Sequence, residues 1–269
     1  MQEKTKKSTP GRLLAQKKEG VKITMMTAYD YPTAVLLDRA GIDLLLVGDS
    51  LGTVVQGRET TLPVTLDEMI YHTEMVARGA RHAMVVADMP FPCAQLGPEE
   101  AVRAAARILK ETGAGAVKIE GGKSRAGVIR ALVEAGIPVM GHCGLMPQSI
   151  RRLGGYKVQR DRAALLSDAL AVEESGAFAV VLECMPSGAG EEVSRRLAIP
   201  TIGIGAGPYC DGQVLVFHDL MGYHEPEKSA PKHSKTYADL GQAFIEAASR
   251  YAEEVRNGAF PTEENSFSD

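Results

Sequence analysis

The feature that most constrains the fold is a regular alternation of short apolar segments with longer amphipathic ones along the chain. The apolar segments are nearly continuous runs, as expected of parallel strands that are covered on both faces. Eight of them are present: KITMMTAYD, DLLLVGDS, AMVVADMPF, AVKIEGG, PVMGHCG, FAVVLECMP, PTIGIGAG and GQVLV. Eight strand–helix units in about 250 residues predict an α/β fold, the (β/α)8 TIM barrel, as a single domain. A doubly wound open sheet is the main alternative.

The expected domain covers the whole chain, because no linker or low-complexity tract divides the sequence. We predict one barrel domain over residues 1–269, with a short N-terminal extension over about residues 1–20 and a disordered tail over about residues 260–269. The seventh unit departs from the pattern, since only PYCDG separates its strand from the eighth. A short helix at that point would suit the phosphate sites that many barrels use.

Composition excludes several classes of protein. The net charge of −4 does not favour nucleic acid or an anionic membrane as a general partner. No apolar run approaches the roughly 18 residues that a membrane span needs, and the basic N-terminal stretch has no apolar core of a secretory signal. The four cysteines form no CxxC pair and are typical of reduced thiols. We therefore expect a cytoplasmic protein without nucleic-acid or membrane partners.

Polar residues end five of the apolar segments, at the positions where parallel strands would stop. In a barrel of this type, the C-terminal strand ends and the loops after them build the active site. The barrel prediction therefore implies that these side chains converge on one mouth. They are Asp49, Asp88, Glu120, His142 and Glu183.

The two aspartates predict a metal site. Carboxylates from neighbouring strands repel each other unless a cation or a proton lies between them. Mg²⁺ prefers oxygen ligands and takes one or two carboxylates together with waters and substrate oxygens. We expect Asp49 and Asp88 to hold such an ion. The alternative is that each aspartate caps the helix or turn that follows it.

Lys118 and Glu120 are two residues apart on one strand and therefore point to the same side. Both would be costly inside a barrel unless they are paired or used. Glu120 could join the metal shell, directly or through water, while Lys118 could hold a substrate carboxylate. The alternative is a structural ion pair.

Three further residues are candidates for the chemistry. Glu183 ends the apolar run FAVVLE and is a candidate general base, or else a helix-capping or ion-paired glutamate. His142, between glycines in GHCG, could bind substrate or be a structural histidine. Ser50 could donate to a bound oxyanion or be a turn serine. Backbone N–H groups in the glycine-rich IGIGAG could bind an anion.

With these residues established, the chain resembles the ketopantoate hydroxymethyltransferase family from about Lys22 to Asp219. The motifs that carry the resemblance are MTAYDYPTA, VGDSLG, TLPVTLDEMIYHTEMVARGA, VVADMPF, VKIEGG, GHCGLMPQS, LGGYKVQ, LECMP and IGIGAGPYCDGQVLV. The resemblance implies a (β/α)8 barrel with one Mg²⁺ per subunit. It also implies transfer of a hydroxymethyl group from 5,10-methylenetetrahydrofolate to 3-methyl-2-oxobutanoate, giving 2-dehydropantoate on the route to pantothenate and coenzyme A.

By the same resemblance, residue roles follow from the matching motifs. Asp49 and Asp88 would be metal ligands, with Glu120 in or beside the metal shell. The keto-acid site would be lined by Asp49, Ser50, Asp88 and Lys118. Glu183 would accept the proton whose loss gives a metal-stabilised enolate. The resemblance assigns no folate-binding residue, and it implies a cytoplasmic homo-oligomer, typically a decamer.

The chain departs from the family pattern at two places. Cys143 and Met146 lie in GHCGLMPQS where we expect other residues, and His233 and Ser234 lie where the family tends to be apolar. The second departure concerns packing of the C-terminal segment and assembly. Two long loops, GRETTLPVT and LMPQSIRRLGGYKVQ, are candidate lids.

Three other functions are open on the residues alone. A barrel of the phosphoenolpyruvate mutase and isocitrate lyase group would also bind 2-oxo acids on Mg²⁺, but the KKCGH loop of its lyases is absent. A Schiff-base aldolase would use Lys118 and need no metal. A barrel that binds an anion through IGIGAG as a scaffold or sensor would not be an enzyme.

Overall fold

The structure is a computed structural model that describes residues 7–225 and 230–268. Eight parallel strands close into a barrel in which the strand order follows the chain order. The strands are β1 Ile23–Thr27, β2 Leu44–Val47, β3 Met84–Asp88, β4 Ala116–Glu120, β5 Val139–Gly144, β6 Ala179–Glu183, β7 Thr201–Ile204 and β8 Gly212–Leu215. The (β/α)8 prediction is confirmed, and the open-sheet alternative is wrong because β1 pairs with β8.

Nine α-helices surround or precede these strands within residues 7–216. They are α1 Pro10–Glu19, α2 Tyr31–Arg39, α3 Leu51–Val54, α4 Leu66–Gly79, α5 Pro98–Thr112, α6 Ala126–Glu134, α7 Ile150–Leu153, α8 Arg162–Glu174 and α9 Ser187–Arg196. Local sequence fixes their starts: Thr65 and Glu68 form a reciprocal capping box on α4, and Asp161 accepts from the backbone N–H of Ala164 at the start of α8.

The chain divides into two compact units, the first ending at Val216 and the second beginning at Phe217. The barrel lies wholly in the first unit. The second contains α10 Phe217–Met221, α11 Leu240–Asn257 and a short 3₁₀ helix at Glu263–Asn265. The extent of the single domain and the disorder of the tail remain predictions. Among the helices of the described residues, none combines the length and the apolar character that a membrane span requires.

The connection between β7 and β8 contains no helix, although a short one there would have suited a phosphate site. Residues 205–211 form turns instead. Gly205 and Gly207 have φ values of 64° and 86°, a left-handed conformation that interrupts any helix. Lys22 Nζ donates to the carbonyl of Cys210 at 2.6 Å and ties this connection to the residue preceding β1.

The expected N-terminal extension contains a helix that belongs to the barrel core. Leu13 of α1 is fully buried and packs with the residues that fill the barrel interior. Lys17 on the same helix forms an ion pair with Asp211, just before β8, at 2.8 Å. An apolar contact and a partly buried charge pair therefore hold α1 against the barrel.

Side chains from alternate strand positions fill the barrel interior, as the pleat of a β-strand requires. The interior residues are Leu13, Ile23, Met25, Leu44, Leu46, Met84, Val86, Ala116, Met140, Ala179, Val181, Ile202 and Val214. Two residues beyond such a position, the next side chain points inward again. This rule brings the polar residues at the strand ends into the barrel mouth.

Candidate active site

The strand pleat aims five polar side chains into the mouth of the barrel. Ala116 belongs to the interior core, so Lys118 and Glu120 on β4 point inward above it. The same two-residue step leads from interior residues on their own strands to the remaining three, which are Asp88, His142 and Glu183. Neighbouring strands then set the pairs: Asp88 lies beside Lys118, and Glu120 lies beside His142.

Asp49 follows β2 and is held next to Asp88. The backbone N–H of Asp49 donates to Asp88 Oδ2 at 3.1 Å, and both side chains are buried. Burial, together with the charge of Asp88, raises the pKa of Asp49 to about 7. The starts of α3 and α5 have no side-chain cap, so neither aspartate caps the helix that follows it. The backbone N–H that Asp88 accepts is that of Asp49.

Lys118 is the ammonium closest to these carboxylates. Its Nζ lies 2.6 Å from Asp88 Oδ1, and both side chains are almost fully buried. Burial alone would lower the pKa of Lys118, but the carboxylates, led by Asp88, outweigh it and raise that pKa. Lys118 is therefore protonated at neutral pH. The alternative interpretation was a structural ion pair between Lys118 and Glu120. Lys118 does form a buried ion pair, but its partner is Asp88.

His142 links Lys118 to Glu183. His142 Nδ1 lies 3.3 Å from Lys118 Nζ, and His142 Nε2 lies 3.1 Å from Glu183 Oε2. An ammonium can only donate, so Nδ1 is the acceptor and a neutral ring carries its proton on Nε2. Within the described chain Nε2 makes no well-aligned hydrogen bond. The acid oxygen beside Nε2 is Glu183 Oε2, at 3.1 Å.

Glu183 is the most accessible acid of the set, with 17% of its side chain exposed. The following residue, Cys184, has φ 47°, which is unusual for a residue other than glycine. Two backbone hydrogen bonds hold Cys184 there: its N–H donates to Ile204 at 2.9 Å, and its carbonyl accepts from Gln159 at 2.9 Å. The turn stops β6 and leaves the Glu183 carboxylate at the rim.

Glu120 is buried and lies within reach of the loop that follows β5. Burial and the charge of Asp49 raise the pKa of Glu120 well above its ordinary value. The backbone N–H of Gln148 donates to Glu120 Oε2 at 3.0 Å, while the His142 ring is 4.0 Å from Oε1. Glu120 therefore borders the aspartate pair rather than standing apart from it.

Gln148 is a further site residue, which the sequence pattern did not predict. Its Nε2 donates to Asp49 Oδ2 at 2.9 Å and to the carbonyl of Met89 at 3.0 Å. Gln95 donates to Gln148 Oε1 at 3.1 Å and fixes the amide in this orientation. The only sequence signal was its place in GHCGLMPQS, directly after a strand that supplies a site residue.

Ser50 lies at the edge of the site. Its hydroxyl is 2.8 Å from the hydroxyl of the buried Tyr29, and either oxygen can be the donor. The structure thus brings together Asp49, Asp88, Lys118, Glu120, His142 and Glu183, with Ser50 adjacent to Asp49.

The carboxylates suit a divalent cation in charge and in donor type. Three buried carboxylates, those of Asp49, Asp88 and Glu120, surround one ammonium. Asp88 Oδ1 is buried and is contacted by that ammonium, with Lys118 Nζ at 2.6 Å. In residues 7–225 and 230–268, no group of three or more His, Cys, Asp or Glu side chains is arranged to hold a metal ion. The two carboxylates on neighbouring strands, those of Asp49 and Asp88, match an ion such as Mg²⁺, which takes one or two carboxylates and completes its shell with water or substrate oxygens.

Comparison with known proteins identifies the family. A family model described as ketopantoate hydroxymethyltransferase matches residues 7–263. A 3-methyl-2-oxobutanoate hydroxymethyltransferase of Trichlorobacter lovleyi is 57% identical over 98% of this chain and 99% of its own length. An enzyme of the same name from Pelobacter propionicus is 55% identical over 99% of this chain and 100% of its own length.

Solved structures share the barrel at low sequence identity. Phosphonopyruvate hydrolase in complex with oxalate and Mg²⁺ superposes with a TM-score of 0.62 at 14% identity, covering 96% of this chain and 93% of its own. A 2,3-dimethylmalate lyase of the phosphoenolpyruvate mutase and isocitrate lyase superfamily superposes with a TM-score of 0.60 at 17% identity. The superposition covers 97% of this chain and 92% of the lyase chain. These likenesses concern the fold alone. The full-length sequence matches, in contrast, show that the chain is a transferase enzyme belonging to the ketopantoate hydroxymethyltransferase family.

Proposed function

We propose that the enzyme transfers a hydroxymethyl group from 5,10-methylenetetrahydrofolate to C3 of 3-methyl-2-oxobutanoate, giving 2-dehydropantoate for pantothenate and coenzyme A synthesis. The relatives named for this keto acid support the acceptor. The observation that carries the proposal is the convergence of a buried carboxylate pair, an ammonium and a rim glutamate on one mouth. A small 2-oxo acid needs this combination to lose a proton from carbon.

Mg²⁺ is the proposed metal, held by Asp49 and Asp88 with Glu120 beside them. The superposed phosphonopyruvate hydrolase holds Mg²⁺ with oxalate, a small acid with two adjacent carboxyl carbons. When bound, the ion supplies positive charge at the oxygens of the 2-oxo acid, which makes the neighbouring C–H more acidic. Gln148 orients Asp49 for this role by holding Oδ2.

Three side chains would orient the keto acid. Lys118 is protonated, buried and inward-pointing, so it can attract the substrate carboxylate without leaving Asp88. Ser50 can donate to the same group while Tyr29 donates to Ser50, since each hydroxyl both gives and accepts a hydrogen bond. His142 Nε2 lies 3.1 Å from Glu183 Oε2 and is placed to donate to a substrate oxygen beside that acid.

Glu183 is the proposed proton acceptor. It is the acid at the rim, and it is not engaged by Lys118 as Asp88 is. The C3–H bond breaks as Glu183 takes the proton, and the electron pair moves toward the keto oxygen. A tertiary C–H next to a ketone is a weak acid, so a positioned base and nearby positive charge are both required.

The one-carbon unit then joins C3. The electron pair at C3 forms a C–C bond to the methylene carbon, the bonds from that carbon to the folate nitrogens break, and water supplies the hydroxyl oxygen. Donor, keto acid and water therefore give tetrahydrofolate and 2-dehydropantoate without any oxidant or reductant.

The Schiff-base alternative is disfavoured by the state of Lys118. An amine must be unprotonated to attack a ketone. The neighbouring carboxylates raise the pKa of Lys118, so the amine is held as an ammonium. Failure of borohydride to trap the keto acid on Lys118 is the expected result.

Product formation tests the proposal directly. Purified enzyme is incubated with Mg²⁺, methylenetetrahydrofolate and 3-methyl-2-oxobutanoate, and 2-dehydropantoate is detected by mass spectrometry with each component omitted in turn. Formation that needs all three supports the proposal. Absence of product from the complete mixture, or product from a mixture without folate donor, contradicts it.

We also propose a cytoplasmic homo-oligomer, for which the family resemblance implies a decamer. All eighteen residues of α11 lack burial, and its exposed apolar side chains include Phe244 and Tyr251. A helix with such a face is usually covered in the working protein. Sedimentation at micromolar concentration tests the assembly, and a monomer would contradict it.

A further inference from the structure

One surface segment at the barrel mouth is strongly basic in an otherwise acidic chain. Residues 145–162, here the basic segment, contain five lysines and arginines and one acid, while the whole chain has a net charge of −4. The acid, Asp161, is used as the cap of α8. The five basic residues are exposed and are Arg151, Arg152, Lys157, Arg160 and Arg162.

These five charges have no ion-pair partner among the residues that the structure describes. Within residues 7–225 and 230–268, none of the five has a carboxylate within ion-pair distance. Surface arginines elsewhere do: Arg103 pairs with Glu99 at 2.7 Å, and Arg107 pairs with Glu111 at 2.8 Å. Unpaired like charges repel one another, so their concentration in one segment favours an anionic ligand.

The basic segment borders the reacting centre along its length. Near its start, the N–H of Gln148 donates to Glu120 at 3.0 Å. Near its end, the N–H of Gln159 donates to the carbonyl of Cys184, directly after Glu183, at 2.9 Å. A ligand whose reactive end lies between those two acids would therefore pass over this segment as it leaves the mouth.

Tyr156 lies within the basic segment, between Arg152 and Lys157. Its position supports the same route for a ligand that leaves the mouth. Its side chain is 61% exposed, yet burial of the hydroxyl and the charge of Glu183 raise its pKa. Tyr156 therefore presents an exposed side chain within the segment that Gln159 ties to Cys184. An exposed ring at the edge of a site is suited to stacking with a flat aryl group.

We propose that the basic segment binds the γ-linked oligoglutamate tail of the folate donor, so that the enzyme prefers polyglutamylated donors. This inference rests on the proposed function. Every added glutamate contributes one carboxylate, and a flexible chain of carboxylates matches a row of exposed, unpaired arginines and lysines. Tyr156 would meet the aminobenzoyl ring that joins the reactive pteridine to the tail.

The keto acid does not account for these charges. It carries one carboxylate, and buried Lys118 already lies inside the mouth to receive it. Nucleic acid is disfavoured by the overall negative charge and by confinement of the basic groups to one short segment.

The test compares donors of two tail lengths in matched variants. The variant Arg151→Gln/Arg152→Gln/Lys157→Gln removes three charges from the basic segment. Its control, Arg81→Gln/Lys110→Gln/Arg130→Gln, removes three exposed charges elsewhere on the barrel unit. The KM for monoglutamyl and for pentaglutamyl methylenetetrahydrofolate is measured for each protein, and the thermal unfolding midpoint reports folding.

We expect wild type and control to have a pentaglutamyl KM about tenfold below the monoglutamyl KM, as three weak surface ion pairs would give. The segment variant should bring the ratio close to one. Calorimetric binding of pentaglutamyl tetrahydrofolate, which needs no turnover, should weaken in the same variant and weaken further at high salt in the wild type.

Equal KM values in the wild type, or an equal loss of preference in segment variant and control, would overturn the inference. So would a segment variant that loses affinity for a single-stranded oligonucleotide but not for pentaglutamyl tetrahydrofolate. If no donor gives product, the proposed function fails, and the calorimetric comparison still decides whether the segment binds the tail.

Discussion

Lys118 Nζ lies 2.6 Å from Asp88 Oδ1, and the two residues face each other across the β3–β4 pair. The register of two parallel strands thus creates this contact, and it sets the charge balance of the mouth. With Lys118 in place, one of three buried carboxylates is compensated before any cation arrives. Loss of either partner leaves a buried charge without its counterpart.

Lys118→Met should destabilise the metal-free protein by about 3 kcal/mol, because Asp88 stays buried without its ammonium. Urea unfolding at neutral pH measures the change. The double variant Asp88→Asn/Lys118→Met should be more stable than Lys118→Met alone, since it removes the stranded charge as well. A double variant that is less stable than the single one would show that the pair is not the source of the effect.

The stability of the metal-free protein should depend on the protonation of Asp49. Burial and Asp88 raise the pKa of Asp49 to about 7 in the folded state, whereas an unfolded aspartic acid titrates at about pH 3.9. A raised folded pKa means that the folded state favours the protonated carboxyl, so ionisation opposes folding. This contribution to the free energy of unfolding is therefore lost as pH rises from about 4 to about 7.

Asp49→Asn should remove that part of the pH dependence, as measured by urea unfolding between pH 4 and pH 8. The control is Asp67→Asn, whose carboxylate is 81% exposed and should leave the dependence as it is. An unchanged slope in Asp49→Asn would contradict the raised pKa.

Gln148→Ala should weaken metal binding by about ten- to hundredfold, the usual effect of removing a partner that orients a ligand. Electron paramagnetic resonance of added Mn²⁺ measures the dissociation constant without any substrate. Gln95→Ala should have a smaller effect in the same direction, because it only releases the Gln148 amide. Equal affinity for Mn²⁺ in wild type and Gln148→Ala would show that Gln148 does not support the metal site.

Strand pattern made most of this site predictable. Lys118 and Glu120 stand two residues apart on an apolar strand, and the period of two places both inward whatever the loops do. The same holds for Asp88, His142 and Glu183 at the ends of their strands. Their convergence could be predicted once the barrel fold was predicted, and the eight apolar segments indicated that fold.

Residues on loops were not predictable in this way. Gln148 is uncharged, and it reaches Asp49 only because the loop after β5 turns back over the mouth. Likewise, the insertion of Leu13 into the barrel interior depends on the path of the chain before β1. The absence of a helix within residues 205–211 follows from left-handed glycines whose conformation a sequence does not display.

The backbone at Cys184 gives a separate prediction. Its φ of 47° is costly for a side chain with a Cβ and costs nothing for glycine. Cys184→Val should therefore be less stable than Cys184→Gly by about 1–2 kcal/mol. Denaturant unfolding compares the two, and equal stability would mean that Cys184 does not hold the left-handed conformation in solution.

Removal of the C3 proton of the keto acid by Glu183 can be measured directly as exchange of that proton in D₂O, followed by NMR, with Mg²⁺ or with EDTA, and with or without folate. We expect metal-dependent exchange in the wild type and in Glu174→Gln, a control on the exposed side of α8. In Glu183→Gln we expect exchange slower by about a hundredfold or more. Exchange at the wild-type rate in Glu183→Gln, or no exchange in wild type under any of these conditions, would show that Glu183 is not the base.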